Sequence, residues 1–93
     1  MIVYPAGYAG YLTDVEQGGG VVRGRSARLS ARERDVLDGL ACGRSTEQIG
    51  AELTMSPHTV RTHLRNIMRK LEANTRAHAV AIALTDGAID PPR

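Results

Sequence analysis

The sequence predicts an all-α fold: a four-helix bundle containing a helix-turn-helix, preceded by a short glycine-rich tail. Three observations predict it. From Ser30 onward, hydroxyl residues with cap partners recur ahead of stretches whose apolar residues follow a helical period. The stretch 57–72 sets Val60, Leu64, Ile67 and Leu71 at i, i+4, i+7 and i+11, one continuous apolar stripe with Met68 beside it. The composition also changes near residue 28, because glycines 7, 10, 18, 19, 20 and 24 and all three tyrosines precede it.

Taken in order, the first segment carries Tyr4, Tyr8 and Tyr11 and suits a short strand or a cover over neighbouring apolar surface. Gly18-Gly19-Gly20 holds neither helix nor strand cheaply, so 13–27 reads as a linker. The chain thus divides into a tail, 1–27, and a helical domain, 28–93, and removal of the tail is expected to leave stability nearly unchanged. Ser30 with Glu33 and Ser45 with Gln48 fit capping boxes, and Ser56 followed by Pro57 fits an N-cap with proline at the first helical position. Thr75 caps a fourth start, and Gly43 and Gly87 suit left-handed helix ends. The expected helices are 31–42, 46–53, 57–72 and 76–86. Val36, Leu37, Leu40 and Ala41 face the core from the first, Ile49 and Leu53 from the second, and Ala77, Val80, Ala81 and Leu84 from the fourth.

Composition narrows the function. A length of 93 residues fits one small domain, and 42% hydrophobic with 24% charged residues fits a globular chain. No apolar run reaches spanning length and no secretory signal is visible, so a cytoplasmic location is expected without membrane contact. Cys42 is the only cysteine, and it reads as a small residue at a helix seam. With His58, His63 and His78 scattered, no zinc-ligand spacing exists and no metal or cofactor is expected. No serine, histidine and carboxylate set falls on one predicted surface, so catalysis is not expected.

Charge placement says more than net charge, which is only +2. Between Glu52 and Glu72 no acid occurs, while Arg61, Arg65, Arg69 and Lys70 all do. At 100° per residue, Arg61, Thr62, Arg65, Asn66 and Arg69 lie opposite the apolar stripe, with His63 and Lys70 on the flank. A basic face by itself is usually only a solvated face. Here it belongs to the second helix of a helix-turn-helix, with a turn at Thr54 and Met55 and with Gly50 where the two helices approach. Arg61 and Arg65 sit at i and i+4, and arginine can donate two parallel hydrogen bonds to guanine, while a threonine methyl can lie against thymine. Arg32 and Arg76 read as structural cations.

These residues resemble the LuxR-type (GerE-type) helix-turn-helix of bacterial transcription factors. The resemblance runs from Leu29 to about Gly87. It rests on Leu29-Ser30-Ala31-Arg32-Glu33, Val36-Leu37, Ala41-Cys42-Gly43, Ile49, Leu53, Ser56, Thr59-Val60-Arg61, His63-Leu64, Ile67, Lys70-Leu71, Arg76 and Ala79-Val80. It implies a third helix in the major groove, with Arg61, Thr62 and Arg65 on base edges and His58, Thr59, Asn66, Arg69 and Lys70 on phosphates. It also implies a fourth helix that pairs about a two-fold axis, for which Thr75, His78, Ala79 and Ile82 form the expected seam. Gln48, Gly50 and Ala73 depart from the family's usual glutamate, alanine and valine. The stretch from Ala9 to Asp14 faintly resembles the end of a receiver domain, which such regulators carry upstream.

The expected partner is double-stranded DNA, bound by a homodimer that is weak without it, with RNA polymerase as a further candidate. Two alternatives stand beside this reading. One is a region-4 module of a sigma factor, against which the fourth helix argues; the other is an interaction protein that sequesters a full-length regulator.

Overall fold

Each of the four α-helices among the described residues begins at a hydroxyl that accepts a backbone N–H of the first turn. The computed structural model describes residues 21–91. Helix α1 (Ala31–Ala41) starts at Ser30, whose Oγ accepts the Glu33 N–H at 3.1 Å while Glu33 Oε1 accepts the Ser30 N–H at 2.8 Å. Helix α2 (Thr46–Leu53) repeats this box with Ser45 and Gln48. Helix α3 (Pro57–Leu71) has Ser56 as its cap and Pro57 in its first turn, and α4 (Arg76–Thr85) has Thr75. Each cap satisfies a donor that the helix itself leaves unpaired, worth about 1 kcal/mol. That is why these boundaries could be read from short-range sequence.

The helix ends divide into two kinds. Gly43 and Gly87 adopt φ of 83° and 79°, as their positions suggested. Thr54 and Glu72 end α2 and α3 at φ of 59° and 54° without glycine. A side chain in that region costs about 1–2 kcal/mol, so packing around these turns must impose it.

Helix α3 is the centre of the fold and packs against the other three helices. Its stripe of Val60, Leu64, Ile67 and Leu71 is buried, as expected, together with Val36 and Leu37 of α1 and Ile49 of α2. Leu40, Ala41 and Leu53 are half-buried at the margin. No helix among the described residues is long and apolar enough to cross a membrane.

Three features differ from the sequence reading. First, Gly24–Arg28, within the expected linker, forms a 3-10 turn that packs on α3 and buries Ser26 completely. Asp86 holds it: Arg23 N–H donates to the Asp86 carbonyl at 2.9 Å and Ser26 N–H to Asp86 Oδ2 at 3.3 Å. The tyrosines and Gly18-Gly19-Gly20 lie outside the described residues. Second, α4 is rotated from its expected facing. Ala79 and Ala83 are fully buried, Ala77 and Ala81 are exposed, and Val80, Ile82 and Leu84 are half-buried. A helix apolar on nearly every side has no unique stripe, and its contacts with α1 and α3 select the small residues. Third, Cys42 is exposed at the end of α1 instead of filling a seam.

Candidate nucleic-acid interface

The turn between α2 and α3 fixes how the basic helix is presented. Thr54 in the left-handed region reverses the chain, and the Met55 N–H donates to the Gly50 carbonyl at 2.8 Å. A Cβ on Gly50 would lie 2.5 Å from the Met55 carbonyl oxygen. The glycine is therefore needed because the turn itself folds back onto α2, a closer cause than the helix crossing expected from sequence. With its apolar face locked into the core, α3 turns its opposite face to solvent.

On that face Arg61 and Arg65 are exposed and, among the described residues, enter no ion pair. Glu47, in the first turn of α2, feels the charge of Arg61, and its carboxyl lies below the ordinary value, chiefly through a hydrogen bond from its own backbone and one from Thr46. Thr62 Oγ1 donates to the His58 carbonyl at 3.2 Å, which occupies the hydroxyl within the helix. Arg69 Nη2 donates to Asn66 Oδ1 at 3.2 Å, so these two side chains lie side by side. His58 and Thr59 are exposed in the first turn, where Thr59 Oγ1 accepts from Ser56 Oγ at 3.0 Å. The residues expected on bases and most of those expected on phosphates thus share one surface.

Lys70 differs from the free cation expected of a phosphate contact. Its Nζ donates to Glu33 Oε1 at 2.7 Å, and the two side chains are 30% and 5% exposed. Burial alone would raise the Glu33 carboxyl, but the Lys70 ammonium and the Ser30 N–H outweigh it and hold the group below its ordinary value of 4.5. Lys70 sits on the flank of the apolar stripe, within reach of α1, and its charge is already matched in the unbound protein. Sequence reasoning saw Glu33 only as a capping residue. Its second role spans 37 residues of chain and has no local signature.

The seam expected on α4 is also altered. Ala79 is fully buried and unavailable to a partner, and Ile82 is half-buried, whereas Thr75 and His78 are exposed. His78 Nδ1 accepts the Asn74 N–H at 3.2 Å, reinforcing the start of the helix. Arg32 pairs with Asp35 at 3.6 Å, while Arg76 forms no ion pair among the described residues. Elsewhere, Asp35, Asp38 and Asp90, with Arg34 beside them, line a shallow hollow of about 300 Å³ between α1 and the segment after α4. Acids outnumber the one cation there, whereas the exposed face of α3 is basic.

The fold and this face together define a helix-turn-helix domain with a cationic second helix. The chain belongs to the luxR family of bacterial regulatory proteins, whose pattern matches residues 27–83. It is 45% identical over 75 residues to the probable transcriptional regulatory protein NarL of Mycobacterium tuberculosis, covering 76% of this chain and 35% of that protein. It is 36% identical over 69 residues to the transcriptional regulatory protein FixJ of Bradyrhizobium diazoefficiens, covering 74% and 34%. A solved structure of the transcription factor GerE matches with a TM-score of 0.66 and 32% identity, over 73% of this chain and 97% of that one. The chain spans about a third of the length of these curated relatives.

Proposed function

We propose that the chain binds DNA sequence-specifically as the effector region of a transcriptional regulator, with α3 in the major groove. The observation that carries this reading is the pair Arg61 and Arg65, exposed and in no ion pair among the described residues, on a helix whose other face is fixed in the core. Two guanidinium groups one helical turn apart reach neighbouring base pairs, and Thr62 between them has its hydroxyl engaged by His58. His58, Thr59, Asn66 and Arg69 then serve the backbone, which sets position and affinity without reading sequence. Membership in a family of bacterial regulators supports the same conclusion, with the cytoplasm as the place of action and RNA polymerase as a further partner.

Binding as a dimer on an inverted repeat is part of this proposal. The exposed side of α4, with Ala77, His78, Ala81 and Thr85, gives a small patch that associates weakly alone and more strongly when DNA holds two copies in register. Half-sites would then lie about 34–36 Å apart.

Selecting bound sites from random duplexes, followed by titration of variants, tests the reading. Arg65→Ala should cost about 1–3 kcal/mol on the selected site and relax one base pair of specificity, while Arg69→Ala weakens all sequences alike. Ala81→Glu should abolish cooperativity and leave the fold intact. Failure of the parent chain to select any sequence would favour a sequestering interaction protein instead.

A further inference from the structure

The 3-10 turn carries an arginine to the end of the basic face. Arg25 Nε lies 3.1 Å from Glu72 Oε2, and the side chains are 52% and 62% exposed. Glu72 is the residue that closes α3 after its last turn, so the pair stands at the carboxyl end of the helix that carries Arg61 and Arg65. Glu72 is also the first acid met along the chain after Glu52. We propose that Arg25 is a contact to the DNA phosphate backbone, positioned by the turn and by Glu72 at the far end of α3. The proposal rests on reading α3 as the recognition helix and extends that interface to the segment preceding the four-helix domain.

Distance supports the assignment. At 1.5 Å per residue, Glu72 is displaced from Arg65 by about 10 Å along the helix. The major groove is about 12 Å wide, so a group that far from a base-reading arginine stands at the groove wall, where phosphates lie. The turn is also well held. Ser26 is fully buried, Asp86 accepts from the backbone at Arg23 and Ser26, and Gly24 adopts φ of 62° against the Asp86 carboxylate, where a Cβ would come within 2.9 Å of its oxygen. Arg25 is consequently presented by an anchored backbone. Its exposed pair with Glu72 is weak enough to exchange for a phosphate, because an exposed ion pair gains little over solvation.

The two partners give opposite predictions, which separates a phosphate contact from a structural clasp. On a duplex selected as above, Arg25→Ala should weaken binding by about threefold at moderate salt and lower the slope of log K against log salt by about 0.9. Glu72→Gln breaks the same ion pair but frees Arg25 and removes a negative charge, so it should tighten binding and preserve the slope. In the Glu72→Gln background, Arg25→Ala should still cost affinity. Equal weakening by both single variants with an unchanged slope would overturn the assignment and leave the pair a clasp. An effect of Arg65→Ala with none of Arg25→Ala would overturn it as well, while leaving the reading of α3 intact. Absence of binding by the parent chain would remove that reading itself.

Discussion

Two ion pairs meet at the carboxyl end of α3, and their surroundings give them different work. Lys70 and Glu33 are 2.7 Å apart with side chains 30% and 5% exposed, whereas Arg25 and Glu72 are 3.1 Å apart and 52% and 62% exposed. Glu33 also accepts the Ser30 N–H, so a single carboxylate caps α1 and ties it to α3. The buried pair fixes where the basic helix sits, and the exposed pair lies where a ligand can compete for it. Charge alone, read along the sequence, makes Lys70 a free phosphate contact and leaves Arg25 as one residue of a linker.

The largest expected effect comes from breaking the buried pair, and it should be asymmetric. Lys70→Met leaves Glu33 ionised without its cation, so we expect a loss of about 2–4 kcal/mol, near the range for buried pairs that lose one partner. Glu33→Gln leaves Lys70 able to reach water and keeps an acceptor for the Ser30 N–H, and should cost about 1–2 kcal/mol. Urea denaturation of both variants measures the difference. Equal and small losses would show that the pair contributes no more than a surface contact.

Removing the turn comes next. Residues 1–20 should be dispensable, with a change of less than about 0.5 kcal/mol, while deletion of 1–27 should cost about 1–3 kcal/mol by exposing the surface that Ser26 and its neighbours cover. This revises the expectation that the whole tail is neutral. Matching melting temperatures for the two truncations would return the turn to the status of a linker.

Titration sharpens the comparison further. The folded Glu33 carboxyl lies below 4.5, so its pairing stabilises the fold fully above that pH and the contribution is lost as pH falls through the lowered value. Glu47 shifts in the same direction but is exposed and weighs little. We therefore expect stability to fall below about pH 4.5 in the parent chain and to fall less steeply in Glu33→Gln, as followed by the urea midpoint at successive pH values.

How much of this was legible follows from how local each signal is. The helix starts at Ser30, Ser45, Ser56 and Thr75 involve groups three residues apart, and the apolar stripe of α3 repeats within one helix, so both could be read directly. The face of α4 has no local signal because Ala77, Ala79, Ala81 and Ala83 are alike in sequence, and only packing on its neighbours buries the second and fourth. The ends of α2 and α3 fall within one residue of those expected, but their left-handed closure at Thr54 and Glu72 carries no glycine to announce it. The basic residues of the candidate site were visible, but their availability was not. Which cations are already paired depends on Glu33 and Glu72 meeting residues distant along the chain.

The smallest expected effect is the stability change from Arg25→Ala, and it is informative because it should be small. The pair it breaks is exposed on both sides, and exposed pairs contribute about 0–1 kcal/mol, offset here by the side-chain entropy that arginine recovers. The turn keeps its other anchors, since Ser26 remains buried and Asp86 still accepts from the backbone at Arg23 and Ser26. We expect a shift below about 0.5 kcal/mol in urea, against several times that for Lys70→Met, even though both substitutions remove a cation that pairs near the carboxyl end of α3. A loss for Arg25→Ala as large as that for Lys70→Met would mean that the turn depends on the ion pair for its place on α3. The distinction between an anchoring pair and an available one would then fail at its exposed member.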